Sequence, residues 1–122
     1  MSMLAPDPLP EDPQRLRIEV ARTAERLRTM SLVRLGAPLP DGRTRAALAL
    51  ALAQQLADSA ADLTGDPRRR LPDGLAPATA GDVLAVCGHD LAEAVAARPA
   101  DPVAAQASAR AVEALVVLRR DL

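Results

Sequence analysis

The sequence has 122 residues, a formal net charge of −1 and no aromatic side chain. Hydrophobic residues make up 49% and charged residues 25% of the chain, which is typical of one globular domain and argues against wholesale disorder. The near-neutral charge argues against a dedicated nucleic-acid-binding protein, whose surface is strongly basic. The lack of Phe, Trp and Tyr also removes the side chains on which unpaired bases stack.

The basic residues are all arginine, and both lysine and asparagine are absent. Residues with AT-rich codons are missing together, which indicates a GC-rich bacterial genome. Arginine enrichment is therefore not, by itself, evidence of a phosphate-binding surface.

Cys87 is the only cysteine, which excludes an intrachain disulfide and a zinc site built from several cysteines. Residues 1–13 lack the basic and apolar stretches of a signal peptide. The longest strongly apolar run, 46–53, is far shorter than the roughly 20 residues that span a membrane. We therefore expect a cytoplasmic protein that contacts no membrane, and no motif indicates a cofactor.

The 11 prolines divide the chain into segments. They cluster within 6–13, 38–40, 67–77 and 99–102, and a proline inside a helix costs about 3 kcal/mol. The segments between the clusters are rich in Ala, Leu, Arg and Glu, and none has the alternation of a strand. The pattern predicts an all-α fold, an antiparallel four-helix bundle over 13–122 that follows a flexible N-terminal tail over 1–12. The path is either up-down-up-down or includes one crossover at 64–78.

The first helix is predicted from Pro13 to about Leu35, with Asp12 as its N-cap and Gly36 at its end. Apolar residues spaced alternately by four and three form one continuous seam along it. These residues are Leu16, Val20, Thr23, Leu27 and Met30.

The second helix is predicted to begin near Asp41 or Gly42 and to end at Gly65. Its first half is apolar on every side, because Ala47, Leu50 and Ala51 point away from its leucine seam. A helix that is apolar all round needs cover on two sides. Either this helix is the most buried one of the bundle, or its second face contacts another subunit. The three residues are therefore candidate interaction residues for a homodimer or for another helical protein.

The third helix is predicted to open at Thr79, with Asp82 in the capping-box position, and to end at Arg98 and Pro99. Asp101 and Pro102 open the fourth helix, since these residue types suit the N-cap and the first helical position. The short connections predict that helices one and two, and helices three and four, are antiparallel neighbours.

His89 is the only histidine, and it carries the alternative hypothesis of chemistry. The segment 89–91 resembles the phospho-acceptor segment of sensor kinases over three residues, but 92–94 lacks the basic residue and proline that normally follow. Asp82, His89 and Glu93 fall within about 60° of one another around the helix, which resembles half of a metal site. The sequence thus leaves open His89-centred phosphotransfer or a small metal-dependent enzyme. The alternative is that His89 lies on the surface or packs against a neighbouring helix and has no chemical role.

Arg68, Arg69 and Arg70 form the strongest local charge cluster, in the long connection between the second and third helices. Three adjacent guanidinium groups can bind phosphate or an acidic partner, so a regulator that binds an acidic or nucleic-acid partner is a further hypothesis. The alternative is a solvated loop.

Cys87 lies on the seam of the third helix without a partner cysteine or an evident general base, which favours a buried apolar role. Its neighbour Gly88 lowers helix stability by up to about 1 kcal/mol relative to Ala, and we expect that it lets another helix approach closely.

The sequence contains no convergent set of nucleophile, base and oxyanion donors. The surplus apolar surface of the second helix is instead typical of association sites. We therefore expect a protein that acts through protein–protein interaction, chiefly through self-association, rather than an enzyme.

Overall fold

The computed structural model describes residues 13–122, so the expectation of a flexible tail over 1–12 lies outside the described residues. The described chain is helical and has no strand, with only an isolated bridge between Pro38 and Thr44. The all-α prediction is therefore confirmed. The helices are α1 (Pro13–Arg28), α2 (Leu32–Gly36), α3 (Arg45–Thr64), α4 (Ala80–Ala96) and α5 (Pro102–Asp121).

The prediction of one continuous first helix is wrong, because α1 ends at Arg28 and the separate α2 begins at Leu32. Ser31 is the N-cap of α2, where its hydroxyl accepts a hydrogen bond from the backbone N–H of Arg34. A serine in an extended backbone conformation satisfies an otherwise unpaired N–H, which favours a new helix start. The apolar spacing continues through Met30, so periodicity alone does not reveal the break.

The start of α3 also differs from the prediction, since Thr44 and not Asp41 is its N-cap. The Thr44 hydroxyl accepts from the N–H of Ala47, whereas the Asp41 carboxylate is bonded within the preceding turn to Arg43. The predicted end at Gly65 is confirmed, because Gly65 takes the left-handed conformation of a C-cap.

The predicted start of α5 is confirmed, with Asp101 accepting from the N–H of Val103 and Pro102 in the first turn. The predicted start of α4 is also confirmed, because Thr79 occupies its N-cap position, but the Thr79 side chain makes no capping hydrogen bond. A 3-10 turn over Pro77–Thr79 leads directly into α4 instead.

α1 and α4 run in opposite directions and pack closely. Arg17 near the start of α1 pairs with Glu93 near the end of α4, at 2.8 Å. Arg28 at the end of α1 pairs with Asp82 at the start of α4, also at 2.8 Å. Asp82 therefore serves this ion pair and not the predicted capping box.

α1 and α5 run in the same direction. Asp101 at the start of α5 pairs with Arg98 just after α4, and Arg17 near the start of α1 pairs with Glu93 near the end of α4, so α1 and α5 start at the same end of the molecule. Toward the other end, Thr23 accepts a hydrogen bond of 3.1 Å from Arg119 near the end of α5.

The neighbours in space agree with only one of the two pairs that the short connections predict, since α4 and α5 are in contact. α3 packs mainly on α4, to which the long connection joins it, while α1 packs on α4 and α5 and shares no extensive contact with α3. The expectation that the first two long helices are antiparallel neighbours is therefore wrong. A common core of buried leucine, alanine and valine joins all four long helices.

The two glycines of α4 set its close approach to α1. A Cβ placed on Gly88 would lie 2.5 Å from a γ-methyl of Val20, and one on Gly81 would lie 2.9 Å from the carbonyl oxygen of Ala24. The expected packing role of Gly88 is confirmed. Among the described residues, no helix is both long and apolar enough to span a membrane.

Candidate functional site

The outer side of α3 is partly covered by its own chain, through the α3–α4 connection (residues 65–79). The side-chain amide of Gln54 donates to the carbonyl oxygen of Arg69 at 3.0 Å and accepts from the N–H of Leu71 at 2.8 Å. The side chain of Leu71 packs against the core. Gln54 thus fixes the connection along α3 at Arg69 and Leu71.

The predicted interaction residues of α3 differ in exposure. Leu50 is partly buried and packs against the core, whereas Ala47 and Ala51 are exposed. The apolar surplus of α3 is therefore smaller than its sequence indicates.

The arginine cluster does not act as one unit. Arg68 folds back onto α3, where it pairs with Asp62 at 2.7 Å and with Asp58 at 3.8 Å. This pairing lowers the pKa of the Asp62 carboxyl and raises the pKa of Arg68. Arg69 and Arg70 have no ion pair among residues 13–122, so two cations remain for a partner.

A groove of about 750 Å³ lies between α4 and the α3–α4 connection, and we call it the α3–α4 groove. Its floor is made of small residues, chiefly alanines of α3 and α4. Its connection wall carries Asp66, Arg69 and Arg70, and its α4 wall carries Val86, Asp90 and Glu93. The floor residues include Ala57, Ala60, Ala61, Cys87, Ala94 and Ala97.

Val86 and Asp90 are site residues that the sequence analysis missed. Val86 is 61% exposed, although valine normally lies in the interior. A signal existed in the sequence, because Val86 falls on the outward side of the third helix, between Asp82 and Glu93. Asp90 is exposed and has no ion pair in the described part of the chain.

Cys87 lies on the groove floor and is buried. Burial, and to a lesser degree the charge of Asp90, raises the pKa of its thiol. The thiolate is the nucleophilic form, so this environment disfavours a catalytic cysteine.

His89 is exposed in a shallower groove between α1 and α4 that Arg17 and Arg28 also line. Glu93 and Asp82 bind these arginines, so neither carboxylate is free to serve His89. Asp82 and Glu93 are also 11 positions apart, which corresponds to about 16 Å along a helix and is too far for one metal ion. No group of three metal-ligating side chains occurs among the described residues.

A second exposed apolar feature lies on α2. Leu32 is 65% and Val33 is 83% exposed, at the end of the molecule where α1 finishes. Two adjacent apolar side chains are a small surface, and neither of them lines the α3–α4 groove. The α3–α4 groove is therefore the stronger candidate.

Comparisons of the chain with protein-family models, with curated proteins and with solved structures found no match. The candidate site must therefore be judged on its own geometry.

Proposed function

We propose that this chain is a cytoplasmic helical interaction module that acts by binding a second copy of itself. The observation that carries the proposal is the α3–α4 groove, where an apolar floor adjoins the exposed Val86. Contiguous exposed apolar surface marks association sites, and Val86 extends the apolar floor of the groove onto its α4 wall. The groove also carries unpaired charges of both signs, which suits a protein partner better than a small apolar ligand.

The chemistry-bearing residues support binding rather than catalysis. Burial raises the pKa of the Cys87 thiol, and the Asp82 and Glu93 carboxylates are held by arginines. The thiolate is the nucleophilic form of cysteine, so a raised pKa disfavours catalysis by Cys87.

We also propose that the four long helices constitute a four-helix bundle with one crossover at 64–78. The opposite directions of α1 and α4, the shared direction of α1 and α5, and the common core support it. Spin labels on exposed positions should give shorter distances between α1 and α4 than between α1 and α3. A shorter distance between α1 and α3 would contradict the arrangement.

Self-association is tested by light scattering over a wide concentration range. The chain has a mass of 12.8 kDa, and we expect the measured mass to rise toward twice that value. Val86→Asp should shift the protein back to the monomer, because it places a charge against the apolar floor. Val103→Asp is the matched control, since Val103 on α5 is 64% exposed and lies outside the α3–α4 groove. A wild-type protein that stays monomeric throughout would refute the proposed function.

A further inference from the structure

We infer that two copies of this chain pair about a twofold axis through the α3–α4 groove, so that Arg70 of each copy contacts Asp90 of the other. The inference rests on the proposed self-association and adds the interface and its symmetry. It depends on the placement of charges on the two walls of the groove.

The two walls carry charges of opposite sign that have no ion pair in the described chain. Arg69 and Arg70 lie on the connection wall beside Asp66, whose carboxylate accepts a hydrogen bond from the Thr64 hydroxyl, and Asp90 lies on the α4 wall beside Glu93. Arg69, Arg70 and Asp90 have no ion pair within the described chain, whereas Glu93 is paired with Arg17. The groove therefore carries charges beside its apolar floor whose ion-pair partners a bound protein could supply.

Pairing about a twofold axis supplies partners for these charges from a second copy of the chain, and no different protein is needed. Such an axis brings the same surface of both copies together, and when it runs along the groove it places each wall over the opposite wall of the second copy. Arg69 and Arg70 of each copy then face Asp90 of the other copy, at two symmetric places. A uniformly acidic partner would instead match Arg69 and Arg70 but be repelled by Asp90.

The apolar residues fit the same symmetry. Val86 lies on the α4 wall next to the alanine floor, so in a twofold pair it packs against the floor of the second copy. Stable interfaces bury roughly 1,200–2,000 Å² in total, so the contact must also include the outer side of α4. That side includes Asp82, which is already paired with Arg28 of α1, and Glu93 of the groove itself is paired with Arg17.

The backbone of the connection wall is held in place within the single chain. Gln54 bonds the backbone on both sides of Arg70, at Arg69 and at Leu71. A wall fixed in advance loses little conformational entropy on binding. Arg70 is therefore the arginine that we expect to dominate the contact.

Charge reversal tests the pairing. Arg70→Asp and Asp90→Arg should each raise the dimer dissociation constant at least about tenfold, because like charges then meet at two symmetric places. Arg110→Asp is the matched control, since Arg110 has no ion pair among residues 13–122 and lies on α5 outside this groove. We expect it to leave the dissociation constant unchanged.

Mixing the two reversed proteins gives the decisive result. Asp90→Arg has two arginines and Arg70→Asp has two aspartates at the contact, so the mixture should form heterodimers, which native mass spectrometry resolves. The double variant R70D/D90R should again form homodimers. If Arg70 instead paired with Asp90 of the same chain, mixing the two variants would not restore the pair.

The outcomes separate the inference from the function on which it rests. If the wild type dimerises but the reversals do not weaken it, or if mixing gives no preference for heterodimers, the twofold pairing is wrong and self-association stands. If the wild type is monomeric, both are wrong. Should a reversed variant fail to fold by circular dichroism, Arg70→Ala and Asp90→Ala replace it. Their effects on the dissociation constant must then be non-additive, and additivity would overturn the pairing.

Discussion

Adding one methyl group at Gly88 would disturb the close packing between α4 and α1. An alanine there gains up to about 1 kcal/mol of helix propensity. Its Cβ would lie 2.5 Å and 2.6 Å from the two γ-methyl groups of Val20, a side chain that is stiff about its one rotatable bond. We expect Gly88→Ala to lower the free energy of unfolding by about 1–2 kcal/mol, because overpacking outweighs propensity. Urea denaturation measures the change.

The source of the Gly88 effect can be isolated with two further variants. Val20→Ala removes both methyl groups, so Gly88→Ala should cost less in that background than in the wild type. Gly36→Ala is the control, because no atom lies within 4 Å of the added Cβ there. Equal costs of Gly88→Ala in both backgrounds would show that contact with Val20 is not the cause.

The Cys87 thiol makes the free energy of unfolding depend on pH in the alkaline range. Burial, and then Asp90, raises its pKa in the folded chain. The folded state therefore holds this proton to higher pH than the unfolded state, whose thiol has a pKa of about 8.5. The resulting stabilisation is complete below that pH and is lost as pH rises through the folded pKa. Urea denaturation at successive pH values above 8 should show a steeper loss for the wild type than for Cys87→Ala.

At the scale of the elements, Gln54 and the Arg68 ion pairs hold the α3–α4 connection along α3. Gln54 accepts from the N–H of Leu71 and donates to the carbonyl oxygen of Arg69, which holds the arginine segment along α3. We expect Gln54→Ala to free the segment and to speed trypsin cleavage after Arg70, while the global midpoint of unfolding changes little. Gln55→Ala is the matched control, since Gln55 is the exposed neighbour and makes no bond to the connection. Equal cleavage rates in both variants would contradict the role of Gln54.

The contact between α1 and α5 depends on a largely buried ion pair. Arg119 lies 2.6 Å from the Glu19 carboxylate, whose side chain is 9% exposed. Arg119→Met leaves that carboxylate without its cation, and we expect it to cost about 1–3 kcal/mol of unfolding free energy in denaturation. Removing both charges in Glu19→Leu/Arg119→Met should cost less than the single change, and Arg120→Met on the exposed side should cost almost nothing. A double variant that is worse than the single one would contradict this account.

The limits of sequence reasoning follow from the range of the interactions. Proline spacing and local caps place the long helices, as Gly65, Asp101 and Pro102 illustrate, because these signals act within one turn of the chain. The break at Ser31 is local too, but a serine within a periodic apolar pattern is ambiguous. The α3–α4 groove exists because Gln54 bonds Leu71, 17 positions away, and no periodicity encodes that contact. For the same reason the sequence predicts only that Val86 and Asp90 are exposed. The fold is needed to place them in the same groove as the α3–α4 connection.

For the whole molecule, self-association makes thermal stability depend on protein concentration. A dimer that forms only from folded chains stabilises them by mass action, so the unfolding midpoint rises as concentration rises. We expect this rise in the wild type and its loss in Val86→Asp, while Val103→Asp keeps it because Val103 lies on α5 away from the α3–α4 groove. Differential scanning calorimetry over a concentration series measures the effect. A midpoint that stays constant for the wild type would mean that folded chains gain nothing from one another, and the groove would then need another occupant.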